Sequence, residues 1–81
     1  MKLLIISPSG ESNLEIAWLE LNTAVGNFVI QPGHAPMIVT LAPNKQVTFC
    51  LKSGKQESFI VKQGIADIMR TEATLFLSDT F

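Results

Sequence analysis

No apolar stretch in this sequence runs far before a turn signal interrupts it. Ser7-Pro8-Ser9-Gly10, Gly26, Pro32-Gly33, Ala42-Pro43-Asn44-Lys45, Lys52-Ser53-Gly54-Lys55 and Thr71-Glu72 cut the chain at intervals of about six to sixteen residues, many of them near eight to twelve. Each proline fixes its own φ and removes a backbone donor, and each glycine opens φ values that other residues resist. Such intervals suit short strands joined by reversals, the pattern of a sandwich or barrel. The spacing predicts an all-β fold, a small antiparallel β-sandwich or flattened barrel of about eight to ten short strands. It is expected to form a single domain over residues 1–81.

Lys2 to Ser7 reads as a buried strand. Phe28 to Ile30, Met37 to Leu41, Ser58 to Lys62, Ile65 to Met69 and Ala73 to Ser78 read as further strands. Val47, Phe49 and Leu51 alternate with Thr48 and Cys50, as a half-buried strand does. Gly64 marks a bulge or a close approach of backbones. Residues 14–21 support two readings. Leu14, Ala17, Trp18 and Leu21 have helical spacing behind a Ser12/Glu15 capping box. Leu14, Ile16 and Trp18 also alternate as a strand whose phase slips to Leu19 and Leu21, as a bulge would produce. Pattern alone leaves both open. Trp18 is expected inside the sandwich, with an interface position as the alternative.

Composition narrows the function. Folding a chain of this size buries roughly 60–65% of its unfolded surface, and no covalent staple is available to help. The lone Cys50 cannot form an internal disulfide, and one histidine with one cysteine cannot build a structural zinc site. Apolar residues make up 47% and charged residues 16% of the chain, where charged residues average about 25%. That imbalance predicts an apolar face covered by another subunit, or by a second copy when the domain is isolated. A net charge of −1 with six scattered basic residues argues against nucleic acid as a partner. The longest aliphatic run, Leu3 to Ile6, is far short of the about 20 residues that span a bilayer, so direct membrane insertion is not expected.

Catalytic arrangements fare no better. His34 is the only imidazole, and no serine, cysteine or acid lies within seven residues of it, so it lacks a neighbour to make it a base. Cys50 reads as a small hydrophobe. Glu15 and Glu20 cannot share a face on a regular strand, and Asp67, between Ala66 and Ile68, is expected to point outwards. Met37 and Met69 read as core filler, with an adaptable binding surface as the alternative. The glycines are too far apart to cradle a phosphate. No catalytic, cofactor-binding or metal-binding residue is expected. A free-standing β-sandwich that binds a peptide or small molecule remains an alternative, and would require a concave apolar pocket.

The stiffest stretch, Gly26-Asn27-Phe28-Val29-Ile30-Gln31-Pro32-Gly33-His34-Ala35-Pro36-Met37, carries a resemblance. Gly26, an apolar strand and then PGHAP resemble the signature loop in the N-terminal domain of the epsilon subunit of F-type ATP synthases, the subunit called delta in mitochondria. Met1 to Gly10, the Ser53-Gly54 hairpin, Val61 to Ile68 and Ala73 to Asp79 are similar to further parts of that domain, so the resemblance runs almost end to end. The chain departs from the family pattern at Gln63, where a second glycine is usual, and at Pro43-Asn44-Lys45, where a glycine turn is usual.

The resemblance implies a β-sandwich, and with it the strand reading of residues 14–21. It implies a central-stalk role that links the gamma subunit to the membrane c ring and helps transmit torque in proton-coupled ATP synthesis, without catalysis or cofactors. Position by position, Val25, Gly26, Asn27, Phe28, His34 and Pro36 correspond to the c-ring contact, and Met37, Ile38, Val39 and Thr40 to the gamma contact. Asn27 is neutral where the family is often acidic, so a hydrogen bond would replace a charge pair. The implied location is peripheral, on the cytoplasmic face of a bacterial inner (plasma) membrane. Many family members continue past the equivalent of Phe81 into two helices that form an inhibitory arm. A chain ending here is expected to lack that arm, and a piece of a longer chain would read the same way.

Overall fold

A computed structural model describes residues 1–79. Among them, the turn signals separate eight strands: β1 (Lys2–Ser7), β2 (Gly10–Thr23), β3 (Gly26–Ile30), β4 (Met37–Thr40), β5 (Lys45–Leu51), β6 (Gln56–Val61), β7 (Gly64–Ile68) and β8 (Glu72–Leu77). They pair in the order β4-β7-β8-β1-β2-β5-β6, with β3 also on β2. All pairings but one are antiparallel. The exception is β1 with β8, whose register runs parallel from Lys2↔Glu72 to Ile6↔Phe76. A parallel pair needs a long crossover, and here the crossover is everything between the two strands.

β2 is the corner of the molecule. Its first part, to Glu15, pairs with β1, and its second part pairs with β3 and β5. Leu19 and Glu20 are flanked on both edges, by Ile30 and Val29 on β3 and by Phe49 and Thr48 on β5. The register slips between Ile16 and Trp18, which leaves Ala17 as the extra residue of a bulge. Ile16 and Leu19, three positions apart, are therefore both fully buried, and Ala17 and Trp18 both turn away. The strand reading of this segment holds, phase slip included. Trp18, expected inside, is instead half-buried and stands apart from the core beside its register partner Cys50. The same slip turns Glu15 and Glu20 both outwards, which a regular strand would forbid.

The curled sheet closes on one core that includes Leu3, Ile5, Leu19, Leu21, Ile30, Val47, Phe49, Ile68 and Leu75. Each fully buried aliphatic side chain of this kind contributes about 1.5–3 kcal/mol. Phe49 and Phe59 meet edge to face with centroids 6.4 Å apart. Gly64 is the close approach its position suggested: a Cβ there would lie 2.9 Å from both the Phe76 carbonyl oxygen and Leu77 Cδ2. Asn44 takes φ 60° in the β4–β5 turn, the conformation asparagine tolerates better than most residues.

Candidate interaction surfaces

The proline loop is braced by the turn that follows β7, the strand paired with β4. Gly33 adopts φ 88°, its N–H donates to the Arg70 carbonyl at 2.7 Å, and the His34 N–H donates to Gln31 O at 3.0 Å. Arg70 Nη1 donates back to Gly33 O at 3.5 Å. These bonds hold the β3–β4 connection against the β7–β8 turn. His34 Nδ1 lies 2.8 Å from Ala35 O. A carbonyl only accepts, so Nδ1 carries the hydrogen. Among the described residues no side-chain acid, hydroxyl or thiol bonds the ring, and no three His, Cys, Asp or Glu residues cluster as metal ligands.

The β2–β3 hairpin is stiffened by its own side chains. Thr23 Oγ1 donates to Gly26 O at 2.7 Å and accepts from the Val25 N–H at 3.2 Å. Asn27 Nδ2 donates to Glu20 Oε2 at 3.2 Å and to Asn22 Oδ1 at 3.0 Å, and Asn22 Nδ2 donates to Gln46 O at 2.9 Å. The amide nitrogen of Asn27 is thus engaged by its neighbours on the exposed face of the hairpin, and its acceptor Oδ1 is the side-chain atom left to meet a partner's donor. Val25 at the tip is 77% exposed.

The sequence-based contact residues do not form one patch. Val25 and Gly26 sit where Ala24 N–H meets Thr40 O at 3.2 Å, at the end of β4. His34 and Pro36 sit at its beginning, beside the turn holding Arg70. The stretch of β3 between them spans about 13 Å at 3.3 Å per residue. Phe28 packs partly against the core, as do Met37 and Val39, while Ile38 is 75% exposed. Only half of the Met37–Thr40 segment is thus available to a partner. Exposed Ile38, Ile65, Phe76 and Met69 put large apolar groups on the sheet containing β4, β7 and β8. Sequence reasoning did not single out Ile65 or Phe76, although both follow from the parity of their strands, while Met69, expected as core filler with an adaptable surface as the alternative, lies just past the end of β7 and is exposed.

An open groove of about 540 Å³ lies between Leu41, Pro43, Gly64, Ile65, Phe76 and Leu77. It is walled by side chains of low polarity, and His34 is not among its lining residues. No helix among the described residues is long and apolar enough to cross a membrane.

Comparison with known proteins fits this architecture. The family model described as the beta-sandwich domain of the ATP synthase Delta/Epsilon chain matches residues 1–80. Comparison with curated proteins returns no match. Among solved structures, the central stalk/c-ring of the Tetrahymena thermophila mitochondrial ATP synthase superposes with a TM-score of 0.83 at 16% identity, over 100% of this chain and 65% of that one. The OSCP/F1/c-ring assembly of the Euglena gracilis mitochondrial ATP synthase gives 0.83 at 16% identity, over 95% of this chain and 49% of that one. At this identity the likeness is one of fold, and the chain spans less than two thirds of either neighbour.

Proposed function

Because this chain belongs to the delta/epsilon β-sandwich family of ATP synthases, we propose that it is a central-stalk subunit of a rotary F-type enzyme, a non-catalytic link between the gamma subunit and the c ring. The observation that carries this reading is the family match over residues 1–80. Torque transmission calls for contacts that do not yield. The proline loop, tied to Arg70, and the hairpin, tied through Thr23 and Asn27, are both stiff in this sense. In this reading Val25 to Phe28, His34 and Pro36 meet the ring, with Asn27 Oδ1 accepting from a ring donor, and Met37 to Thr40 meet gamma through Ile38 and Thr40. The subunit sits peripherally on the membrane face that carries the catalytic head, the cytoplasmic face in a bacterium.

Two experiments test the reading. Co-expression with the gamma subunit of the same genome is expected to give a one-to-one complex; a well-folded chain that never binds gamma would overturn the stalk role. In reconstituted vesicles, Gly33→Val and Pro36→Asp are expected to lower proton-driven ATP synthesis several-fold. The first forces a β-branched residue to φ 88°, a strain of about 1–3 kcal/mol concentrated in the loop. The second puts an unpaired charge into it. Lys55→Ala, on an exposed hairpin, is expected to change synthesis little. Equal losses from all three variants would refute the assignment of the loop to the ring.

A further inference from the structure

The path of paired strands ends at β4 and at β6, and the two ends differ. At β4 the outer side is taken: Thr23 bridges Leu41, the Ala24 N–H donates to Thr40 O, and the Ala42 N–H donates to Asn22 O at 2.8 Å. At the other end β6 has β5 on one side only. The Leu51 N–H donates to Lys55 O at 2.8 Å, which fixes the phase of the β5–β6 ladder. Backbone groups of antiparallel strands alternate in direction, so Glu57, Phe59 and Val61 direct theirs at β5, while Gln56, Ser58 and Ile60 turn theirs outwards. Among the described residues nothing bonds these outward N–H and C=O groups.

We propose that β6 pairs with β6 of a second copy of this chain, antiparallel and centred on Ser58. In that register Ser58 faces the partner's Ser58, and Gln56 faces the partner's Ile60. Outward groups stand opposite outward groups along the whole strand, so each free N–H meets a free C=O. Neighbouring registers do worse. Centring on Glu57 sets two carboxylates face to face, and centring on Phe59 carries Gln56 past the end of the partner strand. Ser58 is the midpoint of Gln56 to Ile60, and only this register uses every outward group.

Side chains fit the same register. Ile60, 58% exposed, lies along the aliphatic stem of the partner's Gln56. The two Ser58 hydroxyls, each 2.9 Å from its own Thr48 hydroxyl, meet at the centre. Proline and inward charges are usual devices for keeping edges apart. β6 has no proline, and Lys55 and Lys62 flank it just outside the paired residues. Glu57 is its one charged residue. Alternate residues share a face, so Glu57 lies on the side of Phe59 and buried Val61, opposite the partner's Phe59. The two Glu57 carboxylates then become diagonal neighbours, about 7–8 Å apart, and oppose the pairing weakly. This edge includes none of the residues assigned above to the ring or to gamma, and the inference goes beyond the stalk reading.

Sedimentation equilibrium of the chain from about 10 µM to about 1 mM, the range of modest affinities, is expected to show mass rising towards twice 8.9 kDa. Ser58→Pro removes only an outward N–H, which an edge strand tolerates, and should raise the concentration of half-association at least about tenfold, since each pair loses two central bonds. Glu57→Gln should instead lower that concentration about twofold by removing the diagonal repulsion. Hydrogen exchange of the unaltered chain gives a reading that needs no variant: the Gln56, Ser58 and Ile60 amides should gain protection with concentration, while Glu57, directed at β5, should not change. A monomer at all concentrations overturns the proposal. So does association that survives Ser58→Pro or weakens with Glu57→Gln, or exchange at Gln56, Ser58 and Ile60 that ignores concentration.

Discussion

Replacing Leu19 with alanine is expected to remove much of the stability of this domain. Leu19 is fully buried and is flanked by Ile30 on β3 and Phe49 on β5, so the void would open where three strands meet. A leucine-to-alanine change in such a place costs about 2–5 kcal/mol. A domain of this length holds only about 4–12 kcal/mol in total. The urea midpoint should fall accordingly, and the melting temperature should drop by at least about 10 °C, at about 4–8 °C per kcal/mol for a small domain. Ile60→Ala, at a position 58% exposed, is the control and should stay within about 0.5 kcal/mol. A Leu19→Ala loss below about 1 kcal/mol would mean that the core closes around the missing atoms, contrary to a corner held by both neighbouring strands.

The second large effect comes from adding a single carbon. At Gly64 an alanine Cβ would be 2.9 Å from Phe76 O and from Leu77 Cδ2, and 3.1 Å from Leu41 Cδ1. Leucine side chains can shift. The Phe76 carbonyl belongs to the strand paired with β7, and moving it disturbs the ladder. Overpacking of this kind costs about 1–3 kcal/mol, enough to lower the melting temperature by roughly 5–20 °C. Leu77→Ala in the same chain should recover part of the loss, since it removes one obstruction and leaves the carbonyl. A measured coupling near zero in that double-mutant cycle, or an alanine at 64 that is neutral, would show that the strands separate freely there.

The punctuation of the chain was legible because proline, glycine and asparagine act locally. Asn44 at φ 60°, Gly33 at 88° and Gly54 at 96° occupy the turns their residue types suggested. The slip at Ala17 was visible as a broken alternation from Ile16 to Leu19. Its consequences were not visible, because an alternation says which residues share a side and not which side meets the core. Alternation by itself therefore puts Trp18 inside and Glu15 and Glu20 on opposite faces. The parallel β1–β8 pair left no mark in either strand, since neither hairpin chemistry nor turn length connects them. The contact residues were legible as a motif. Their distribution over both ends of β3 depended on how far an extended strand reaches, and on the bond between Gly33 and Arg70 that local pattern does not predict.

Pairing the first strand with the last also sets a timetable. Seventy residues separate Lys2 from Glu72, its neighbour in the sheet. Ribosomes add about 5–20 residues per second, so β1 waits on the order of 4–14 s for its partner to be synthesised. Throughout that wait Leu3 and Ile5, which end up fully buried, lack the neighbours that β8 supplies, and the nascent chain carries an open strand edge where β8 belongs. Ladders of such long sequence separation also close slowly once complete. The newborn chain is thus a natural client for chaperones that bind short apolar segments, and its vulnerable period is fixed by topology more than by final stability.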